Sequence, residues 1–138
     1  QRQMCIRDSY SGYNSPAGED LNGRDQAHAP SYQYSFSATF GGVSDWFGDI
    51  VIQGQDGFYF SDTHDFQSDA HAVINLGLGR YIGDFEAHFW IKNLFDQEYS
   101  VRGFFFGNDP RTGYADMGWT QMGNPRQFGI SIRKDFER

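Results

Sequence analysis

The chain carries a single cysteine, Cys5, in 138 residues, so neither an internal disulfide framework nor a multi-cysteine metal site can be built from it. It also has no run of about 18 apolar residues, which excludes a membrane helix but leaves barrel spans open, because those need only about 9 to 11 alternating residues. None of its 11 basic residues form a block and the net charge is −7, which argues against a phosphate-binding surface and so against nucleic acid. Aliphatic core residues are sparse, while aromatic residues make up 18% of the chain. A soluble core draws on Leu, Ile and Val, whereas a membrane barrel needs one apolar face per strand and adds aromatic girdles at both interfaces. The composition leans towards the barrel.

Chemistry-bearing motifs are equally scarce. There is no nucleophile elbow, zinc-peptidase helix or P-loop, and Cys5 has no placed histidine beside it, so catalysis has no support and the chain is not expected to be an enzyme. Gly77-x-Gly79 with Gly83 has the wrong spacing for a dinucleotide loop and lies inside an alternating strand. His64, Asp65, Asp69 and His71 are metal-ligand types close in sequence, but they match no compact motif, and a solvated loop explains them better. No metal and no cofactor are expected.

What is present is alternation. From Arg126 to Phe136, Phe128, Ile130, Ile132 and Phe136 share one parity, and Gln127, Gly129, Ser131, Arg133 and Asp135 share the other. That is a strand with one apolar and one wet face. From Ser31, the residues Tyr32, Tyr34, Phe36, Ala38 and Phe40 oppose Gln33, Ser35, Ser37 and Thr39. From Asp49, Ile50, Ile52, Phe58 and Phe60 share a parity with Asp56, which demands either a bulge near Gly54 or Gly57 or an Asp56 outside the apolar band. From Ala70, Ala72, Ile74, Leu76 and Leu78 oppose His71, Asn75, Gly77 and Gly79, with Val73 out of place. From Asp84, Phe85, Ala87, Phe89 and Ile91 oppose Glu86, His88 and Lys92, with Trp90 the exception. The spans Ser31 to Phe40, Asp49 to Phe60, Ala70 to Tyr81, Asp84 to Phe95 and Gln127 to Phe136 are expected to form an all-β antiparallel meander of about five strands, paired in order. Open edges follow, because about eight strands are needed to close a barrel.

Short connections, Ile82-Gly83-Asp84 and Gly41 to Gly48, alternate with long polar ones, near residues 14–30, 61–69 and 97–125. A transmembrane barrel shows this asymmetry, its periplasmic turns short and its extracellular loops long. Trp46 and Phe47 in a short turn read as interface anchors. Gln1 to Ser9 has neither periodicity nor an apolar h-region, and is expected to be a non-native or disordered leader to the segment spanning 10–138.

Asn93-Leu94-Phe95-Asp96-x-x-Tyr99, then Pro125-Arg126-x-Phe128-Gly129-Ile130-x-Ile132 and a closing Phe136, resemble the C-terminal end of a TonB-dependent outer-membrane receptor. The resemblance covers residues 31–136, about the last five strands of a family barrel of roughly 22. It implies a fragment of an uptake receptor in the outer membrane of a Gram-negative bacterium, for a scarce solute such as a ferric siderophore. It further implies a plug and remaining strands outside this sequence, the TonB complex reached through that missing part, the barrel assembly machinery reading Phe128, Ile130, Ile132 and Phe136, and contact with membrane lipid.

Tyr99, Arg102, Phe104, Phe106, Arg111 and Trp119, with Phe105 and Tyr114 between them, combine aromatic surface with cationic donors suited to an anionic aromatic solute. The same Phe run also reads as a strand extended above the membrane to girdle its rim, the simpler explanation. His88 beside Glu86 and Lys92 could line a polar path, although paired charges are ordinary content of a wet lumen. The alternative of another class is a secreted β-sandwich lectin or adhesin, whose apolar faces would meet in a packed core.

Overall fold

A computed structural model of the chain describes residues 9, 11, 12, 14, 15, 18, 20–42, 44–62, 64–134 and 136. Cys5, most of the expected leader, Asp135 and the final pair Glu137 and Arg138 lie outside the described residues. The chain is all-β with antiparallel strands: β1 (Gln33–Phe40), β2 (Trp46–Gln55), β3 (His71–Ile82), β4 (Phe85–Lys92), β5 (Ser100–Phe106), β6 (Met117–Met122) and β7 (Gln127–Lys134), with a 3-10 turn at Pro110–Thr112. They divide between two compact units.

One unit holds a five-stranded sheet in the order β1-β2-β3-β4-β7. Its members are the five alternating spans read from sequence, neighbours in that order. Antiparallel pairing sets Gly77 opposite Trp90, Gly79 opposite His88 and Tyr81 opposite Glu86, and then Glu86 opposite Arg133, His88 opposite Ser131 and Trp90 opposite Gly129. Since side chains alternate along each strand, these pairs share one face, and Leu76, Leu78, Phe89, Ile91, Phe128, Ile130 and Ile132 share the other.

Several boundaries differ from the expectation. Trp46 and Phe47 open β2 instead of sitting in a turn, and β2 stops at Gln55, so Asp56 is outside the strand and needs no bulge. Its amide donates to the Tyr32 carbonyl at 3.0 Å, and its carboxylate accepts from the Gly57 amide at 2.9 Å. Phe58 and Phe60 lie beyond β2 and are buried in the other unit. Trp90 and Val73 are not lapses of pattern, because both belong to the polar-parity face, where a Cβ on Gly129 would come within 2.5 Å of the Trp90 ring. Glycine there makes room for an indole. β7 ends at Lys134, which leaves Phe136 outside the strand.

β4 stops at Lys92 because Asn93 turns the backbone to φ 51, a conformation Asn tolerates better than most residues. The Asn93 amide side chain donates to the carbonyls of Gln97 at 2.9 Å and Asn124 at 3.0 Å, and its oxygen accepts from the Gln97 amide at 2.9 Å. Asp96, at φ 53, accepts from the Arg126 amide at 2.7 Å. The two sequence stretches on which the family resemblance rests are thus tied to each other by hydrogen bonds, which set the entry of β7 beside β4.

The second unit contains a two-stranded sheet, β5-β6, inside the region 97–125, where the sequence predicts a long polar connection with a Phe run extending a strand; β5 carries that run, and β6 is the unexpected strand. Its periodicity is hidden because glycines hold the positions where a counted apolar residue would stand. Phe106 pairs with Met117, Phe105 with Gly118, Phe104 with Trp119 and Gly103 with Thr120, with an irregularity between Ser100 and Arg102. Leu21, Phe58 and Phe60, all in this unit, are the buried apolar side chains among the described residues.

Asn93 is 3% exposed, and replacing it by Ala strips donors from two carbonyls and an acceptor from an amide. Asn93→Ala is expected to destabilise the folded state by about 1 to 3 kcal/mol for each group left buried and unpaired. Phe95→Ala, at a residue 71% exposed, should cost under about 1 kcal/mol. Urea unfolding in detergent micelles, followed by far-ultraviolet circular dichroism, compares the two.

Candidate functional site

The face of the β5-β6 hairpin that carries Gly103, Phe105 and Gly118 is packed. A Cβ on Gly103 would overlap the Phe60 ring, and one on Gly118 would lie 2.7 Å from Phe66. Phe60 meets Phe66 at 5.0 Å and Phe58 edge-on at 5.4 Å, with the His28 ring 5.6 Å from Phe58. Aromatic rings seat on glycine because only a bare Cα lets a ring lie against backbone. His64 lies against Phe105, its ring centroid at 3.9 Å, and Asp65 pairs with Arg24 at 2.8 Å. Arg24 also donates to the His64 carbonyl and lies over the Tyr59 ring at 4.2 Å. Two of the four residues considered as metal ligands are therefore engaged in packing and ion pairing, and no cluster of three potential ligands occurs among the described residues.

The opposite face of the hairpin gathers Arg102, Phe104 and Phe106 from β5 with Met117, Trp119 and Gln121 from β6. Phe104, Phe106, Met117 and Trp119 are all exposed. Phe106 and Trp119 stack with centroids 6.3 Å apart, the Trp119 indole N–H donates to the Phe106 carbonyl at 3.2 Å, and the Arg102 guanidinium lies 5.0 Å from the Phe104 ring centre. Four of the six sequence candidates, Arg102, Phe104, Phe106 and Trp119, thus form one surface. Met117 belongs with them; only the register reveals it, since nothing marks an isolated Met before a Gly.

The other two candidates stand apart. The ring of Tyr99 fills the space a Cβ on Gly123 would need, and its carbonyl accepts from the Gly123 amide at 2.8 Å. Arg111 sits in the tip turn, where Asp109 caps the 3-10 turn by accepting from the Arg111 backbone amide at 2.9 Å and takes the guanidinium at 2.8 Å. Both charges are committed to each other. Arg111 is a turn-forming residue more than a free donor.

The five-stranded sheet presents two contrasting faces. On the polar-parity face Asp49 Oδ1 lies 3.8 Å from His88 Nε2, and a Cβ on Gly77 would intrude on both. Phe47 stacks on His88 at 5.7 Å and leans on Tyr81 at 4.9 Å, with its ring over Gly79, while Arg133 reaches Glu86 at 3.5 Å. The surface is one of paired charges and rings laid on glycine, and includes the expected Glu86 and His88. On the other face the apolar side chains stand open, Phe89 at 44%, Phe128 at 69%, Ile130 at 72% and Ile132 at 72%. This sheet unit contains no buried apolar side chain among the described residues. No family model matches the chain, and no solved structure matches it.

The Arg111 guanidinium, then its backbone amide, hold the Asp109 carboxyl below its ordinary value of 3.8. A depressed carboxylate stabilises the folded tip fully above the ordinary value, and that contribution is lost as pH falls through the lowered one. A carbon-13 titration of Asp109 is expected to show a midpoint below 3.8, which moves upward in Arg111→Gln.

Proposed function

We propose that this chain is a length of transmembrane barrel wall, the C-terminal part of a TonB-dependent outer-membrane receptor that takes up a scarce solute such as a ferric siderophore. The observation carrying this reading is the exposed apolar face of the five-stranded sheet, set against a face of paired charges. A protein in water buries such a face, at about 25 cal/mol for each Å2. In a bilayer the same side chains meet acyl chains, and the polar face meets a water-filled lumen. The sheet keeps two edges, β1 and β7, which further strands of a complete barrel would pair.

A secreted sandwich module accounts for the alternation but not for the exposure, because its inner faces need apolar side chains removed from water. Within the reading adopted, Arg102, Phe104, Phe106 and Trp119 form an aromatic and cationic patch suited to an anionic aromatic solute or to girdling the rim. Tyr99 and Arg111 lie outside this patch, Tyr99 packed on Gly123 and Arg111 paired with Asp109 in the tip turn.

In the complete receptor reconstituted in lipid, Ile130→Arg is expected to cost about 2 to 4 kcal/mol near the bilayer midplane and about 0 to 1 near an interface. Ser131→Arg should cost less, since a guanidinium on the wet face keeps its water. Folding titrations in lipid vesicles measure both, and a larger cost for Ser131→Arg contradicts the assignment of faces. Expressed without the rest of the barrel, the chain should fail to restore growth of receptor-null cells on a receptor-dependent iron source. Restored growth contradicts the proposal.

A further inference from the structure

The apolar face of the five-stranded sheet carries two cations at one end. Arg80 lies on β3 opposite Ala87, and Lys134 on β7 opposite Phe85, which places both on the face of Leu78, Phe89 and Ile132. That end is where β3 passes through Gly83 into β4 and where β2 begins. Arg24, Arg111, Arg126 and Arg133 each face a carboxylate. Arg80 and Lys134 have none within ion-pair distance among the described residues and instead lie over rings, Arg80 at 5.2 Å from Trp46 and Lys134 at 5.0 Å from Phe85 and 5.1 Å from Phe136. A ring face offsets part of a cation's desolvation but leaves its donors open. Two inter-strand steps, about 10 Å, separate their strands.

On the same face, next to Arg80 along β3, is an apolar groove of about 490 Å3 whose walls include Phe40, Ile50, Leu76, Leu78 and Phe89. Asp49, the charged residue at its border, directs its carboxylate towards His88 on the opposite face. Leu78 is a wall of the groove, and the next residue of the same parity along β3 is Arg80. Apolar groove, aromatic ring and cation follow one another over a few residues, which is the order of acyl chain, interface and phosphate in a phospholipid.

We infer that this strip is a binding site for anionic phospholipid, with Arg80 and Lys134 holding headgroup phosphates and the groove between β1 and β4 taking an acyl chain. The inference rests on the membrane reading proposed above and adds to it a lipid preference that a merely apolar wall would not have. Cations near an anionic lipid surface favour binding by about fivefold each. Asp45 and Asp84 lie in the turns beyond the strand ends and oppose the same lipids weakly through solvent.

The test reconstitutes the complete receptor into nanodiscs of phosphatidylcholine with phosphatidylglycerol as minor component, exchanges it into detergent, and weighs the retained lipid by native mass spectrometry. The wild-type protein is expected to retain phosphatidylglycerol over phosphatidylcholine at least about fivefold above the nanodisc ratio. Arg80→Gln with Lys134→Gln should return the retained lipid to that ratio, while Arg111→Gln, a cation removed elsewhere, should not. Leu78→Trp, which fills the groove but spares the cations, should lower the total lipid retained. Equal lipid ratios in wild type and the double variant overturn the inference while leaving the membrane reading intact, provided the protein stays β-structured in the disc. Failure to enter the discs overturns both.

Discussion

Everything in the five-stranded sheet depends on the two-residue period of the β-strand, applied without an apolar core to enforce it. In a soluble protein, the face that carries Phe89, Phe128, Ile130 and Ile132 would be buried and would supply most of the stability. Here the unit that holds the sheet buries glycine and Asn93 but no apolar side chain among the described residues. Its order comes from backbone pairing, from rings seated on glycine, and from one buried amide at the exit of β4. Under the proposal made above, apolar solvent around that face replaces the missing core, as a bilayer does for the outer face of a barrel.

The opposite face shows how a polar surface accommodates bulky residues. Phe47 lies over Gly79, Trp90 over Gly129, and the pair Asp49 with His88 crowds Gly77. Any Cβ at these glycines would push a ring or a charge away from the sheet. The same device recurs in the other unit, where Gly103 and Gly118 receive Phe60 and Phe66. There it builds a small aromatic core and turns the second face of the hairpin outward, with Arg102, Phe104, Phe106 and Trp119 together.

The five spans of the sheet were legible because each keeps its apolar parity over most of its length, and β7 does so from Phe128 to Ile132 before Lys134 ends the strand. Of the hairpin β5-β6 only the Phe run was legible as strand; its partner β6 was not, for Gly103 and Gly118 stand at inward positions and score as loop, and the rings they receive, Phe60 and Phe66, lie far away in sequence. Trp90 and Val73 looked misplaced because parity counting assumes a polar face made of polar residues, whereas a face bare of Cβ atoms can hold an indole. The end of β2 was misjudged for the opposite reason: Phe58 and Phe60 continue the parity of Ile50 and Ile52 while belonging to another unit. Asn93 and Asp96 could be picked out only through resemblance, since positive φ and long-range hydrogen bonds leave no periodic trace. Tyr99 and Arg111 share the chemistry of the patch but not its place, which only the register and the tip turn reveal.

The central claim is that alternate residues of β7 face lipid and water. Under the barrel proposal, single cysteines placed at 128 to 133 in the complete protein, with any other cysteine replaced by serine, carry nitroxide labels in lipid vesicles, where collisions with oxygen report lipid and collisions with a polar nickel chelate report water. The account predicts oxygen-rich, nickel-poor labels at 128, 130 and 132, and the reverse at 129, 131 and 133. A flat profile, or nickel access greatest at 130, would contradict it.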